Sequence, residues 1–223
     1  MNIENMLPSI IEAFAAVTSA IIGAGFLGKK VNQTFKRYFA TYGDKAHNLN
    51  DIMQKAQKSI IIVALCGDQL LEKHKVDLER YMRKGIKIRY LLVNSEKYGE
   101  IDRFMTGHET ADYKPLEYSL TELIDLEKRY SDNLKIRVVK YGLTASFVGI
   151  DLNKNFFRRT WSQNSIIHMM TYLFQTGAKD DPIMTFCSDD KTFATVADSI
   201  LALWKKGQRV DLEEYLNNVK TRV

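Results

Sequence analysis

A nearly uncharged run from Met6 to Gly28, MLPSIIEAFAAVTSAIIGAGFLG, ends abruptly at Lys29 and Lys30, and no other feature constrains this chain as strongly. About 20 apolar residues let a helix cross the hydrocarbon core of a bilayer. The one charge inside the run is Glu12. A lone carboxylate in a spanning helix is costly and turns toward a bundle interior or a water-filled path. At helical spacing Glu12, Ala16, Ser19 and Gly23 share one side, while Ile10, Phe14, Val17 and Ile21 share another. Ala16, Ala20, Ala24 and Gly28 form a ladder of small residues, which lets helix backbones approach closely. The pattern predicts a homo-oligomer in the lipid bilayer with Glu12, Ala16, Ser19 and Gly23 lining a pore. A simple anchor, with Glu12 near the outer interface, is the alternative.

Other readings of the run fit less well. Gly23, Gly25 and Gly28 spell G-x-G-x-x-G, but the stretch ahead is Ala-rich and too long for a strand. Asp44 has the right offset for a dinucleotide site, yet no β-run precedes it. A plain buried core helix stays open as an alternative, since Glu12 and many alanines make the run only moderately hydrophobic, whereas a cleaved leader would begin with basic residues and the start offers only Glu4. Lys29, Lys30, Lys36 and Arg37 flank the run on its C-terminal side and mark a membrane interface. The positive-inside rule then places the rest of the chain in the cytoplasm, at a bacterial inner membrane. Two cysteines, Cys66 and Cys187, without a C-x-x-C pair fit a reducing compartment. Val31, Phe35, Tyr38 and Phe39 recur at helical spacing, so a stalk helix is expected over 30–42, ended by Gly43. The net charge of +5 suits an anionic membrane or RNA and does not choose between them.

These observations divide the chain into a membrane helix and stalk, 1–45, and one cytoplasmic α/β domain, 46–223. In the second part, helices are expected over Leu49–Lys58, Leu70–Lys84, Glu96–Gly107, Glu117–Tyr130 and Asp190–Lys206. Strands are expected over Ser59–Leu65, Ile86–Val93, Leu134–Lys140, Ala145–Ile150, Ser165–Phe174 and Ile183–Cys187. The continuous β-branched run SIIIVAL reads as a strand buried on both faces, and the alternation reads as an α/β sheet with helices on both sides.

The stretch QKAQKSIIIVAL…LERYMRKGIKIRYLLVN resembles the first βαβ unit of phospholipase D-like domains, and the likeness extends over about 49–206. That family's motif is H-x-K-x-x-x-x-D followed by a G-S-x-N-like turn. With its aspartate on Asp151, Thr144 stands in place of the histidine and Ser146 in place of the lysine. Trp161-Ser162-Gln163-Asn164 echoes the second element. Covalent phosphodiester chemistry needs a nucleophile such as imidazole, so the resemblance implies a degenerate, non-catalytic relative. Its pocket would lie near Thr144, Ser146, Asp151 and Asn164 and could bind a nucleotide or a partner. His74-Lys75-Val76-Asp77 has the wrong spacing for the motif and reads as a solvated helix face.

Arg103 and His108 form R-x-x-x-x-H, the spacing of HEPN ribonucleases, in which paired copies use histidine as acid/base and arginine on phosphate. Gly107 immediately before His108 marks a helix end, and local surface bonding explains the two residues equally well. With the membrane run, this motif makes the chain resemble the membrane-anchored accessory proteins beside the RNA-guided nuclease of type VI-B CRISPR systems. That resemblance implies antiviral defence through membrane disruption, functionally coupled to the RNA-guided nuclease. Phe156, Phe157, Arg158, Arg159 and Trp161 mix aromatic and basic residues in the manner of RNA-binding surfaces, or of a loop with two rings packed inward. The four histidines are scattered, so no metal site and no cofactor is expected. Three functions therefore stand side by side: a pore-forming membrane effector, a tethered ribonuclease using Arg103 and His108, and a non-catalytic binding module.

Overall fold

The computed structural model describes residues 40–41, 49–153, 161–172 and 182–222, which belong to a compact unit beginning at Ala40. The expected membrane helix, with Glu12, Ala16, Ser19, Gly23 and the flanking Lys29, Lys30, Lys36 and Arg37, lies outside the described residues. Among the described residues no helix is long and apolar enough to cross a membrane.

The strands are β1 (Ala40–Thr41), β2 (Ser59–Ala64), β3 (Lys87–Val93), β4 (Leu134–Val139), β5 (Ala145–Ile150), β6 (Ile166–Thr171) and β7 (Pro182–Cys187). The helices are α1 (Leu49–Met53), α2 (Asp68–Arg83), α3 (Ser95–Thr106), α4 (Lys114–Tyr130), α5 (Phe193–Lys206) and α6 (Leu212–Lys220). One mixed sheet has the order β1-β7-β6-β5-β2-β3-β4. Strands β2, β3 and β4 run parallel, joined by helical crossovers, whereas β5, β6 and β7 form an antiparallel meander added at β2. Right-handed crossovers in one direction place α2 and α4 on the same face, where they pack against each other. Helix α5 covers the other face: the Arg137 guanidinium lies 4.6 Å from the centre of the Trp204 ring.

The central strand is buried on both sides, as its unbroken apolar run requires. Ile60, Ile62, Tyr90 and Leu92 fill the α2/α4 side, with Leu71, Leu78, Leu120 and Leu123 from those helices, all almost fully buried. The outer surfaces of α2 and α4 are tied by Lys75–Glu122 and by Arg129–Glu79 at 2.9 Å. The hydrogen bond from Arg129 holds the Glu79 carboxyl below its ordinary range.

Three expectations need correction. Ala40 and Thr41 pair with Ile183 and Pro182 as a short edge strand, so no stalk helix continues to Tyr42. The first helix of the domain stops at Met53 rather than Lys58. Asp151 takes up the backbone N–H groups of Gln57, Lys58 and Ser59, and those donors are then lost to any helix. Helix α6 was not expected; Asp211 caps it by accepting from the N–H groups of Glu213 and Glu214.

Candidate functional site

Strand β2 is the place where the sheet changes character, with a parallel neighbour on one side and an antiparallel one on the other. In open α/β sheets the crevice beyond the carboxyl end of such a strand is where ligands collect. A cavity of about 160 Å³ lies there. Its floor is one face of three strands: Ile62 and Ala64 from β2, Ser146 and Val148 from β5, His168 and Met170 from β6. The register explains the grouping, because Val148 is opposite both Ile62 and His168, and Ser146 is opposite Met170. Leu49, Met105 and the turn Leu65–Leu70 complete the wall.

The turn is held open by one glycine. Gly67 has φ +81°, and a Cβ there would stand 2.0 Å from the Tyr90 hydroxyl oxygen. The Tyr90 hydroxyl donates to the Gly67 carbonyl at 3.3 Å. On the other side, the Leu65 N–H donates to the Tyr172 hydroxyl oxygen at 3.2 Å, and the Tyr172 N–H is bound by the Thr144 carbonyl. Polar groups at the cavity are few: Cys66, Asp68, Gln69, Ser146, His168 and Tyr172. The Cys66 thiol donates to the Asp68 carboxylate at 3.0 Å. Burial pushes that thiol well above its usual range, and the Asp68 charge pushes it further. Cys66 is therefore a thiol and not a thiolate near neutral pH, which removes it as a ready nucleophile. His168 is 6% exposed, and its Nδ1 lies 3.3 Å from the Thr185 hydroxyl.

The structure divides the four residues expected to form one pocket. Ser146 lines the cavity. Thr144 lies just beyond the start of β5 and is exposed. Asp151 sits at the opposite end of β5, five residues from Ser146, roughly 16 Å of strand away. Its carboxylate is 3% exposed and accepts three backbone N–H groups at 2.7–2.8 Å, while its own φ is +49°. Asp151 is thus a buried brace for the entry to β2. Asn164 is exposed near that same end, next to Ser165, whose hydroxyl donates to the Asp151 carbonyl at 2.7 Å.

Arg103 and His108 do not share a helix. Helix α3 ends at Thr106, Gly107 takes φ +71°, and both side chains are exposed. Of the stretch expected as a solvated face only Val76, 80% exposed on α2, is one; the His74, Lys75 and Asp77 side chains are partly buried and turned to α4 or to their own helix. Phe156 to Arg159 lie outside the described residues; Trp161 packs edge-on against Phe193 at 5.6 Å. The ligand atoms of Cys187, Asp189 and Asp190 lie within 4.8 Å of one another at the β7 turn, where Asp190 already accepts from the Cys187 N–H.

Cys66, Asp68, His168 and Tyr172 were not singled out by sequence reasoning. His168 joins Ser146 on one face only once β6 is paired to β5, and Cys66 and Asp68 reach the cavity through the left-handed turn at Gly67.

No protein-family model matches this chain, and no curated protein does. Solved structures with a similar arrangement include TrmBL2, described as an archaeal chromatin protein with a novel mode of DNA binding. It has a TM-score of 0.48 and 11% identity over 93% of this chain and 66% of that one. Phosphatidylserine synthase of Haemophilus influenzae Rd KW20 scores 0.49 at 11% identity, over 82% of this chain and 43% of the other. NucT from Helicobacter pylori scores 0.44 at 12% identity, over 77% and 97%. At such scores the mixed α/β class rests on the sheet itself, and no activity transfers.

Proposed function

We propose that this chain is a membrane-attached effector whose α/β domain is a non-catalytic sensor. In this reading the 6–28 run enters the bacterial inner membrane and assembles as a homo-oligomeric pore lined by Glu12, Ala16, Ser19 and Gly23. The α/β domain takes a small ligand in the cavity beyond β2. The observation that carries the sensing part is the composition of that cavity: an apolar floor with Ser146 and His168 convergent on it, and no imidazole where a phospholipase D-like nucleophile belongs. Thr144 and Ser146 occupy the motif positions instead, which supports a degenerate phospholipase D-like domain.

The cavity also narrows the ligand. Its size admits a ring rather than a whole nucleotide. Asp68 at the wall repels phosphate and favours a ring bearing N–H donors, so a nucleobase inside with the remainder at the mouth is the best match. The test is thermal unfolding of the full-length protein in nanodiscs with a panel of nucleosides and nucleotides. Stabilisation by one of them, lost in Ser146→Trp, supports the reading; no stabilisation by any member overturns the sensing role. The antiviral coupling implied by the type VI-B resemblance belongs to the same proposal. It predicts that deleting this protein weakens interference by the neighbouring RNA-guided nuclease without changing RNA cleavage.

A further inference from the structure

The second sheet face, beneath α5, carries an unfavourable charge arrangement. Strands β3 and β4 both read Lys-Ile-Arg, and their register sets Arg89 directly opposite Lys135. Alternation puts Lys87, Arg89, Lys135 and Arg137 on one side of two adjacent strands. Like charges directly opposite in a sheet are destabilising. No ion pair joins Arg89 or Lys135 to a carboxylate among the described residues. Lys87 is turned to the Asp132 carbonyl and the Asn133 side chain, at 3.0 and 2.6 Å, and not to an acid. Arg137 is occupied by the Trp204 ring and carbonyl.

A bland explanation covers only part of this. Lysine on an edge strand discourages strand addition, which accounts for Lys135 on β4. It does not account for Arg89, because β3 is paired on both sides. Lys87 and Lys135 are exposed and Arg89 is half-buried; a small anion there would be screened by salt, whereas a polyanion gains by releasing counterions at every contact. Lys87, Arg89 and Lys135 all stand on strands, so none of the three is carried into a duplex groove on a helix.

We propose that Lys87, Arg89 and Lys135 bind the phosphate backbone of a single-stranded nucleic acid. This goes beyond the cavity reading and does not depend on it. Contacts are to phosphate, so binding is independent of base sequence and steep in salt. Three neutralised phosphates give a slope of log K against log salt of roughly −2 for a single strand.

The experiment is fluorescence anisotropy of a labelled 20-nucleotide oligouridylate with full-length protein in neutral phosphatidylcholine nanodiscs. The wild type is compared with Arg89→Glu and with the double variant Arg89→Gln/Lys135→Gln. Arg89→Glu replaces repulsion with a cross-strand attraction, so it is expected to melt no lower than wild type while binding at least tenfold more weakly. The double variant is expected to flatten the salt slope by about 1.4. Unchanged affinity and slope in both folded variants would overturn the proposal. So would patch-dependent binding to phosphatidylglycerol vesicles with no binding of the oligouridylate, which would make the surface a membrane contact.

Discussion

Replacing Asp151 with alanine tests how the entry to the central strand is built. One oxygen of its carboxylate accepts from the N–H groups of Lys58 and Ser59, and the other accepts from Gln57. Alanine removes both acceptor oxygens, and with them three hydrogen bonds, from a site that is 3% exposed. Each orphaned donor costs about 1 kcal/mol or more. The backbone φ of +49° adds roughly 1 kcal/mol for a residue without a polar side chain to support it. The sum is about 4 kcal/mol, a large share of a stability that for ordinary domains is about 5–15 kcal/mol. Asparagine separates the contributions. Its oxygen can keep the Lys58 and Ser59 donors, while its amide faces the Gln57 N–H as a second donor, so Asp151→Asn should cost only about 1.5–2 kcal/mol. Urea unfolding of the purified chain measures both. A loss below about 1 kcal/mol for alanine, or equal losses for alanine and asparagine, would refute the brace.

Three further predictions concern the cavity and the Arg103–His108 pair. Gly67→Ala should cost about 2–3 kcal/mol, from its φ of +81° and the clash with the Tyr90 hydroxyl, and should abolish ligand stabilisation; a melting temperature within 1–2 °C of wild type would contradict this. The raised Cys66 thiol keeps its proton in the folded chain while an unfolded thiol loses its own near about pH 8.5. Its stabilising contribution is thus fully present below that pH and is lost above it, by about 1 kcal/mol between roughly pH 8.5 and 9.5. Cys66→Ala should remove this part of the decline, as read from urea unfolding at each pH. His108→Ala should leave both membrane activity and RNA integrity unchanged, since His108 is exposed beyond the glycine that ends α3; loss of RNA cleavage in that variant would restore the ribonuclease reading.

The sheet was legible because its strands are unusual runs. SIIIVAL and IKIRYLLV are too apolar and too β-branched to be anything but buried strands, and the observed β2 and β3 fall within a residue of the expected ends. Helix α1 was overextended because the residue that ends it, Asp151, is more than 90 positions away in the chain. Helix α6 could have been read, since Asp211 followed by Glu213 and Glu214 is a strong start signal, yet the stretch is short and polar. The cavity was only half visible. Ser146 follows from aligning a motif, but His168, Tyr172, Cys66 and Asp68 reach it through strand register and one left-handed turn, neither of which leaves a local pattern. The like-charge pair of Arg89 and Lys135 was hidden for the same reason, although both Lys-Ile-Arg triplets were in plain view.

Leakage from liposomes measures whether the apolar run acts on a membrane. Full-length protein is reconstituted into liposomes holding a self-quenched dye, with oligomer size read by light scattering in detergent. A large ring is expected, with dye release from wild-type liposomes and none from Glu12→Leu. A monomer or dimer that releases no dye, or release that Glu12→Leu leaves unchanged, would contradict it.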